Sequence, residues 1–178
     1  MYDYQSRDPR VMESRKQIAQ GLLFLLEREP FEDITVTQIC QEAQIARATF
    51  YRNFAVKKDI IKYILIQDIT QFQQRGLTAD SLQDAIAVFF EHIPYSRQLL
   101  RIFERNNMFY MFDDIYSYWE QIYNAQKNSL FPQRDIYDDY KKEFFISVPV
   151  GIMKVWTARD FRETPQELAE TWRQIVHQ

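Results

Sequence analysis

The chain has 178 residues and a mass of 21.6 kDa, the size of one ordinary domain or two very small ones. Hydrophobic residues make up 46% and charged residues 26% of the sequence, which excludes a wholly disordered chain. The single cysteine, Cys40, and the two histidines exclude an intrachain disulfide framework and a metal site built from several such ligands. We therefore expect no metal and no cofactor, and a buried packing role for Cys40.

The composition also bears on compartment and fold class. The longest purely apolar runs, residues 22–26 and 85–90, are far shorter than the roughly 20 residues that cross a bilayer. Residues 1–10 lack the apolar core of a secretory signal, so we expect a soluble, cytoplasmic protein. Turn-forming residues are scarce, with only three glycines and six prolines. This scarcity favours long helices joined by short loops and predicts an all-α fold.

The first third of the chain is predicted to contain four helices. Apolar residues at helical spacing indicate a first helix over 10–28. A short second helix begins after Thr35, where Gln38 completes a capping-box pattern. A third helix runs over 47–53, and Lys57 opens a longer fourth one.

The remainder also has the apolar spacing of helices. Thr164, Pro165 and Glu167 form a strong start signal, with an N-cap, a first-turn proline and an acidic third residue. Pro149 lies inside a predicted helix and lacks a backbone donor, so we expect a kink or break there. Five further helices are predicted over 79–92, 95–106, 108–129, 135–158 and 165–177.

The charge distribution is uneven along the chain. The total is −3, yet the segment 44–62 has five basic residues and one acid, a net charge of +4. Residues 63–178 have 12 basic and 16 acidic residues, a net charge of −4. A compact basic segment on an acidic chain is typical of a DNA-binding module attached to another domain. Chance clustering on a solvated face is the alternative interpretation.

Two short helices separated by about three residues make a helix-turn-helix candidate. A recognition helix needs small or polar groups near its N-terminus to reach base edges in the major groove, and it needs phosphate contacts that fix its register. The expected base-contacting residues are Arg47, Ala48 and Thr49, and the expected phosphate-contacting residues are Tyr51, Arg52 and Lys57.

The helix-turn-helix segments contain a pattern that extends over about 30 residues. It consists of Thr35-Val36-Thr37-Gln38-Ile39-Cys40-Gln41-Glu42-Ala43, Ile45, Ala48-Thr49-Phe50-Tyr51-Arg52-Asn53-Phe54 and Lys57-Lys58-Asp59-Ile60. This pattern resembles the DNA-binding domain of the TetR family. The resemblance implies a homodimer that binds a pseudo-palindromic DNA operator, most often as a repressor that a small-molecule inducer releases. It also implies a DNA-binding domain over 1–62 and a helical ligand-binding and dimerisation domain over 63–178, and it adds Thr35, Thr37 and Asn53 to the expected DNA contacts.

Three residues depart from the family pattern. Gln44 replaces the usual turn glycine, Ala46 replaces the usual N-capping serine, and Val56 stands where serine often precedes the lysine. A non-glycine residue in a left-handed turn costs about 1–2 kcal/mol, and a lost N-cap costs about 1 kcal/mol. These departures weaken the local structure but leave the expected DNA-contacting groups in place.

The C-terminal end is similar to a subset of the same family from low-GC Gram-positive bacteria, through Phe144-Phe145, Gly151, Trp156 and residues 161–168. This resemblance implies a two-fold dimer whose last two long helices pack into a four-helix bundle. The helix over 135–158 is apolar over a wide arc, so either a dimer interface or the core of one protomer covers its second side. The candidate dimer residues are Tyr140, Phe144, Val148, Ile152, Val155 and Trp172.

An unusually aromatic segment lies between residues 109 and 123, where seven of fifteen residues are aromatic. One interpretation is a pocket for a flat or apolar ligand, and the other is ordinary core packing. The candidate pocket residues are His92, Phe103, Phe109, Phe112, Tyr116, Trp119 and Tyr123.

The sequence thus favours a homodimeric, DNA-binding transcriptional regulator with a possible small hydrophobic ligand. The alternative is a helical interaction protein whose C-terminal domain binds a protein partner. An enzyme is disfavoured, because no glycine-rich phosphate loop, nucleophile motif or set of metal-spaced ligands is present in the sequence.

Overall fold

The computed structural model describes residues 8–74, 82–93, 95–121 and 138–176. All regular secondary structure within these ranges is helical, which confirms the predicted all-α fold. The elements are α1 (Pro9–Leu26), α2 (Val36–Glu42), α3 (Arg47–Asn53), α4 (Lys57–Gln74), α5 (Leu82–Glu91), α6 (Arg97–Arg105), a 3-10 helix η1 (Phe109–Ile115), α7 (116–121), α8 (Asp138–Ala158) and α9 (Pro165–Val176).

Both predicted capping boxes are confirmed. The Thr35 hydroxyl accepts a hydrogen bond from Gln38 N at 3.2 Å, and the Gln38 side chain accepts one from Thr35 N at 2.8 Å. At α9, Thr164 Oγ1 accepts from Glu167 N and Glu167 Oε2 accepts from Thr164 N. Each box satisfies two backbone donors that a helix start otherwise leaves free, so these boundaries follow from the local sequence.

The prediction of one α-helix over 108–129 is wrong in its first part, because residues 109–115 form the 3-10 helix η1. Asn107 adopts a left-handed conformation (φ 53°), which separates η1 from α6. A 3-10 helix has three residues per turn, so residues three apart lie on one line. Phe109, Phe112 and Ile115 follow that spacing and are all buried.

Helix α4 joins the two halves of the chain. It packs against α1 and also against η1, and its residues Ile60, Ile61, Leu65 and Ile69 are fully buried. The predicted domain boundary at residue 62 falls inside this continuous helix. Buried residues before, within and after α4 therefore belong to one hydrophobic core.

The C-terminal part is built around α8 and α9. Helix α9 packs along α5, whereas α8 packs against α5, α6 and η1. Of the kink or break expected at Pro149, the break does not occur, because α8 continues through this buried residue. In the part of the chain described here, no helix is both long and apolar enough to span a bilayer.

Candidate nucleic-acid interface

Close packing of α1 on the end of α2 sets the position of the helix pair. A Cβ atom on Gly21 would lie 3.1 Å from Ala43 N and 3.2 Å from Ala43 Cβ, so only glycine allows this approach without a shift. Phe50 and Phe54 are fully buried beneath the pair, with ring centroids 6.1 Å apart. These apolar contacts fix the tilt of α3 relative to α1 and α2.

The turn between α2 and α3 has the two local weaknesses expected from the sequence. Gln44 adopts φ 54°, the left-handed conformation that favours glycine. Ala46 occupies the N-cap of α3 in an extended conformation, and its side chain makes no capping hydrogen bond. The turn keeps its shape through backbone bonds, including Ile45 N to Cys40 O at 3.0 Å.

The exposed side of α3 contains four of the nine side chains expected to contact DNA. Arg47, Ala48, Tyr51 and Arg52 are exposed, and we call these four residues the recognition face. Thr49 is half-buried beside them, and its hydroxyl accepts a hydrogen bond from Arg52 Nη2 at 3.0 Å. The recognition face thus presents two guanidinium groups, a phenol and a methyl group to solvent.

Two predicted contact residues are already engaged within the protein. Asn53 is 5% exposed, and its amide donates to Thr49 O at 2.8 Å, so its side chain supports α3 rather than facing solvent. The Thr35 hydroxyl is used in the capping box, where it also hydrogen-bonds Gln38 Oε1 at 2.7 Å. Thr37, in contrast, is exposed on the first turn of α2.

Lys57 is also engaged within the protein, although the sequence assigned it a phosphate contact. Its ammonium group donates to Phe31 O at 2.6 Å, Glu32 O at 2.9 Å and Ile34 O at 2.8 Å. An ammonium group has three donors, so these carbonyls use all of them. Lys57 therefore ties the loop after α1 to the start of α4, and a phosphate contact would require it to give up carbonyl partners.

A cleft that was not predicted from the sequence lies between α1 and α3. It has a volume of about 460 Å³, and none of its lining residues in the described part of the chain is acidic. Arg15, one of its three arginines, is 5% exposed, while Arg10 and Arg52 are exposed. The lining residues are Arg10, Val11, Ser14, Arg15, Thr49, Arg52 and Asn53, and we call this site the arginine cleft.

The predicted pocket residues lie mostly in the core. Phe103, Phe109 and Phe112 contact one another, with ring centroids 5.5–6.1 Å apart. Trp119 is buried against Phe89 instead, at 5.8 Å. The other predicted members are dispersed: His92 Nδ1 lies 3.1 Å from Val88 O, the Tyr116 hydroxyl donates to Glu143 Oε2 at 2.9 Å, and Tyr123 lies outside the described residues.

Close to these rings are two buried donors with no hydrogen-bond partner in the described structure, the Tyr95 hydroxyl and Trp119 Nε1. The nearby carboxyl of Asp68, on α4, is half-buried. Burial raises the pKa of Asp68 to about 6. Burial, together with the negative charge of Asp68, also raises the pKa of Tyr95 well above its usual value. This polar group of residues was not predicted, because its members lie far apart in sequence.

The predicted dimer residues divide into two groups. Tyr140, Phe144 and Val155 are 74%, 43% and 60% exposed, which is unusual for large apolar side chains. Val148 and Ile152 are half-buried. Trp172 is 5% exposed and packs on Phe144 within the same chain, so most of its surface is already covered.

Comparison with known proteins agrees with this architecture. Residues 79–178, which are 100 of the 178 residues, match the family described as transcriptional regulator C-terminal region of the TetR type. Over 68 residues the chain is 34% identical to the HTH-type transcriptional regulator SAB2452 of Staphylococcus aureus (strain bovine RF122 / ET3-1). That match spans 36% of this chain and 37% of the relative's own length.

Two solved structures have the same fold. Lin0861 from Listeria innocua superposes with a TM-score of 0.77 at 15% identity, covering 99% of this chain and 96% of that one. A TetR transcriptional regulator from Streptococcus agalactiae 2603V superposes with a TM-score of 0.63 at 20% identity, covering 96% and 97%. With the family match over more than half of its length, the chain belongs to the TetR family of transcriptional regulators.

Proposed function

We propose that the protein is a homodimeric, sequence-specific DNA-binding regulator whose first 62 residues bind an operator. The observation that carries this proposal is the recognition face, where Arg47, Ala48, Tyr51 and Arg52 are exposed together on one short helix. An α-helix fits the major groove of DNA, which is about 12 Å wide, and arginine at its N-terminal end pairs well with guanine. Tyrosine and arginine further along are suited to phosphate oxygens.

Specific binding of an operator requires a dimer, because one seven-residue helix contacts only a few base pairs. The exposed side of α8 is the supporting feature. Tyr140, Phe144 and Val155 leave apolar area in solvent, and Gly151 lies between them with open space around its Cβ position. A second copy of the chain seated on this side would bury these groups in a self-complementary, two-fold contact.

Residues 63–178 are proposed to bind an effector that controls DNA affinity, and release of a repressor by a small inducer is the mode that the family resemblance favours. The buried donors of Tyr95 and Trp119 lie beside an aromatic cluster and have no hydrogen-bond partner among the described residues, which supports an apolar ligand with at least one hydrogen-bond acceptor. Such a ligand acts only if its affinity differs between the DNA-binding and the non-binding conformation.

Selection from a pool of random duplexes tests the DNA-binding proposal. The purified chain is expected to enrich an inverted repeat with half-sites about one helical turn apart or slightly more. Arg47→Ala is expected to relax the preference at one position of each half-site, at a cost of about 1–3 kcal/mol there. Arg162→Ala removes an exposed arginine far along the chain and serves as the control. Enrichment of no common sequence by the native chain would reject sequence-specific binding.

A thermal-shift series tests the effector proposal. Small aromatic ketones and phenols are expected to raise the unfolding temperature of the native chain, because a ligand that binds only the folded state stabilises it. Tyr95→Phe removes the buried hydroxyl and is expected to reduce the shift produced by the ketones. An equal shift in native chain and variant would place the ligand elsewhere, and no shift with any compound would reject an aromatic effector.

A further inference from the structure

The arginine cleft places cationic groups from two different helices around one space. Arg10 and Ser14 come from the first turns of α1, whereas Thr49 and Arg52 come from α3. Among the described residues that line the cleft, three are arginines and none is acidic. Several positive charges around one space attract an anion into it.

Two acidic residues close in sequence to the lining residues accept hydrogen bonds of their own. The carboxylate of Asp8 caps α1 by accepting a hydrogen bond from Arg10 N at 2.9 Å. Glu13 Oε1 accepts a hydrogen bond from Gln17 Nε2 at 3.3 Å, one turn further along the helix. Neither residue lines the cleft, so its lining remains basic and hydroxylic.

Several lining groups are held in place. The Arg52 guanidinium is anchored by its hydrogen bond to Thr49 Oγ1, and Asn53 is anchored by its bond to Thr49 O. Arg15 is almost entirely buried beneath the cleft. Arginine presents a planar fork of donors that matches phosphate oxygens, and a neighbouring serine hydroxyl can add another donor. The volume of about 460 Å³ is ample for a phosphate group with its ester oxygens.

The cleft also adjoins the recognition face, because Arg52 belongs to both. A helix that lies in the major groove has a phosphate backbone on each side of it. From this placement we propose that the arginine cleft binds a backbone phosphate of the operator, with Arg10 and Ser14 of α1 as contacts additional to those of the helix-turn-helix. The inference rests on the proposed DNA-binding function. A backbone phosphate and a free phosphate ion offer the same oxygen acceptors to the cleft.

Salt-dependent binding to a duplex of about 20 base pairs with random sequence measures this contact, because log K falls by about 0.9 per log unit of salt for each phosphate neutralised. Arg10→Ala is expected to lower the steepness of that dependence by about 0.9 and to weaken binding about fivefold near 0.15 M salt. The loss should be the same for every duplex sequence, since a phosphate contact reads no base.

Two further variants separate the cleft from general electrostatics. Lys16→Ala removes one exposed positive charge from the same helix, outside the cleft, and is expected to leave the salt dependence unchanged. Ser14→Asp adds a negative charge inside the cleft without removing an arginine, and is expected to weaken binding at least as much as Arg10→Ala. Equal effects of Arg10→Ala and Lys16→Ala, or no effect of the two cleft variants, would overturn the inference.

Failure of the inference and failure of the proposed function give different results. A native chain that binds no duplex at low salt rejects the proposed function, and the inference falls with it. A native chain that binds DNA with a steep salt dependence, unchanged in Arg10→Ala and Ser14→Asp, rejects the inference alone. Stability in the presence of inorganic phosphate is the second measurement. If phosphate stabilises the native chain but not Arg10→Ala, and Arg10→Ala binds DNA as the native chain does, the cleft is a site for a free anion. That result would also overturn the assignment to DNA.

Discussion

The side-chain oxygen of Asn106, at the end of α6, accepts a hydrogen bond of 2.9 Å from the backbone N–H of Phe31, in the loop after α1. Arg105 Nη2 donates to Leu26 O at 2.5 Å beside it, and Gln98 hydrogen-bonds Glu27. The loop that α6 contacts in this way is the same loop whose carbonyls bind Lys57. The region after residue 62 is therefore connected to the start of α4 through hydrogen bonds as well as through the helix itself.

Asn106→Ala tests the strength of this connection. The substitution leaves the N–H of the buried residue Phe31 without its acceptor, which typically costs about 1–3 kcal/mol. We expect that loss in the free energy of unfolding, measured with urea. Asn107→Gly is the matched control: Asn107 is exposed and adopts φ 53°, so glycine should be tolerated or slightly stabilising. Equal losses in both variants would contradict a specific role for Asn106.

Lys57→Ala separates a structural role for this lysine from a DNA contact. Loss of three hydrogen bonds from a charged donor to backbone carbonyls should destabilise the fold by about 2 kcal/mol. Lys58→Ala removes the adjacent lysine, whose partly exposed ion pair with Asp114 at 2.7 Å should contribute less than about 1 kcal/mol. Unfolding curves of the two variants provide the comparison. Weaker DNA binding by Lys57→Ala with unchanged stability would instead support a direct phosphate contact.

The turn between α2 and α3 is expected to be improved by residues closer to the family pattern. Gln44→Gly relieves a left-handed conformation and should raise the free energy of unfolding by about 0.5–1 kcal/mol. Ala46→Ser supplies a hydroxyl at an N-cap that already has extended geometry, and should add about 1 kcal/mol. Thermal and urea unfolding of the single and double variants measure both effects. A destabilised Ala46→Ser variant would show that the start of α3 differs from the geometry described here.

Asp68 predicts a dependence of stability on pH. Its pKa is about 6 in the folded protein against 3.8 for an unperturbed carboxyl, because burial disfavours the charged form. Between these values the folded state binds the proton more tightly than the unfolded state, so this contribution is present at low pH and is lost as pH rises through about 6. Asp68→Asn should therefore stabilise the protein at about pH 7.5, by on the order of 2 kcal/mol, but not at about pH 4.

The control for the pH prediction is Asp113→Asn, which changes an exposed carboxyl on η1. Its unfolding free energy should differ little from that of the native chain at either pH. A gain in stability for Asp68→Asn that is equal at both pH values would mean that the gain does not come from ionisation of Asp68.

Gly151→Glu tests the exposed side of α8 as a dimer interface. A Cβ atom at Gly151 meets nothing within 4 Å in the single chain, so the protomer should tolerate the substitution, and glutamate is the better helix former. In a dimer, the same side chain would place a charge in the contact. Sedimentation equilibrium should give a dimer for the native chain and for Ser117→Glu, an exposed position on α7, and a monomer for Gly151→Glu. A Gly151→Glu dimer of native affinity would exclude this side of α8.

Much of the fold could be predicted because short-range signals specify it. Thr35 with Gln38, and Thr164 with Glu167, form capping boxes from residues only three apart in sequence. The buried positions of α1 to α3 follow helical spacing, and Cys40 is buried as expected, with its pKa raised by that burial. The recognition face was predictable for the same reason, since its exposure follows from the spacing of its buried neighbours.

The remaining features depend on contacts that are distant in sequence. Lys57 binds carbonyls of residues 31, 32 and 34, more than twenty positions earlier, so its engagement has no local signal. The arginine cleft requires α1 to lie beside α3, which sequence spacing alone does not reveal. The 3-10 helix has no distinguishing local signal, because the three-residue spacing of Phe109, Phe112 and Ile115 also fits one side of an α-helix.

The central claim is that the recognition face reads a specific operator, and capture of sheared genomic DNA from the host bacterium tests it most directly. The purified chain and the double variant Arg47→Ala, Tyr51→Ala would be compared at low and at moderate salt, roughly 50 and 200 mM. We predict that the native chain enriches a few sites sharing an inverted repeat at both salt concentrations, and that the variant loses this enrichment. If native chain and variant both enrich all DNA uniformly, and the enrichment disappears at the higher salt, the protein is attracted only to the phosphate backbone of DNA. That result would contradict the claim.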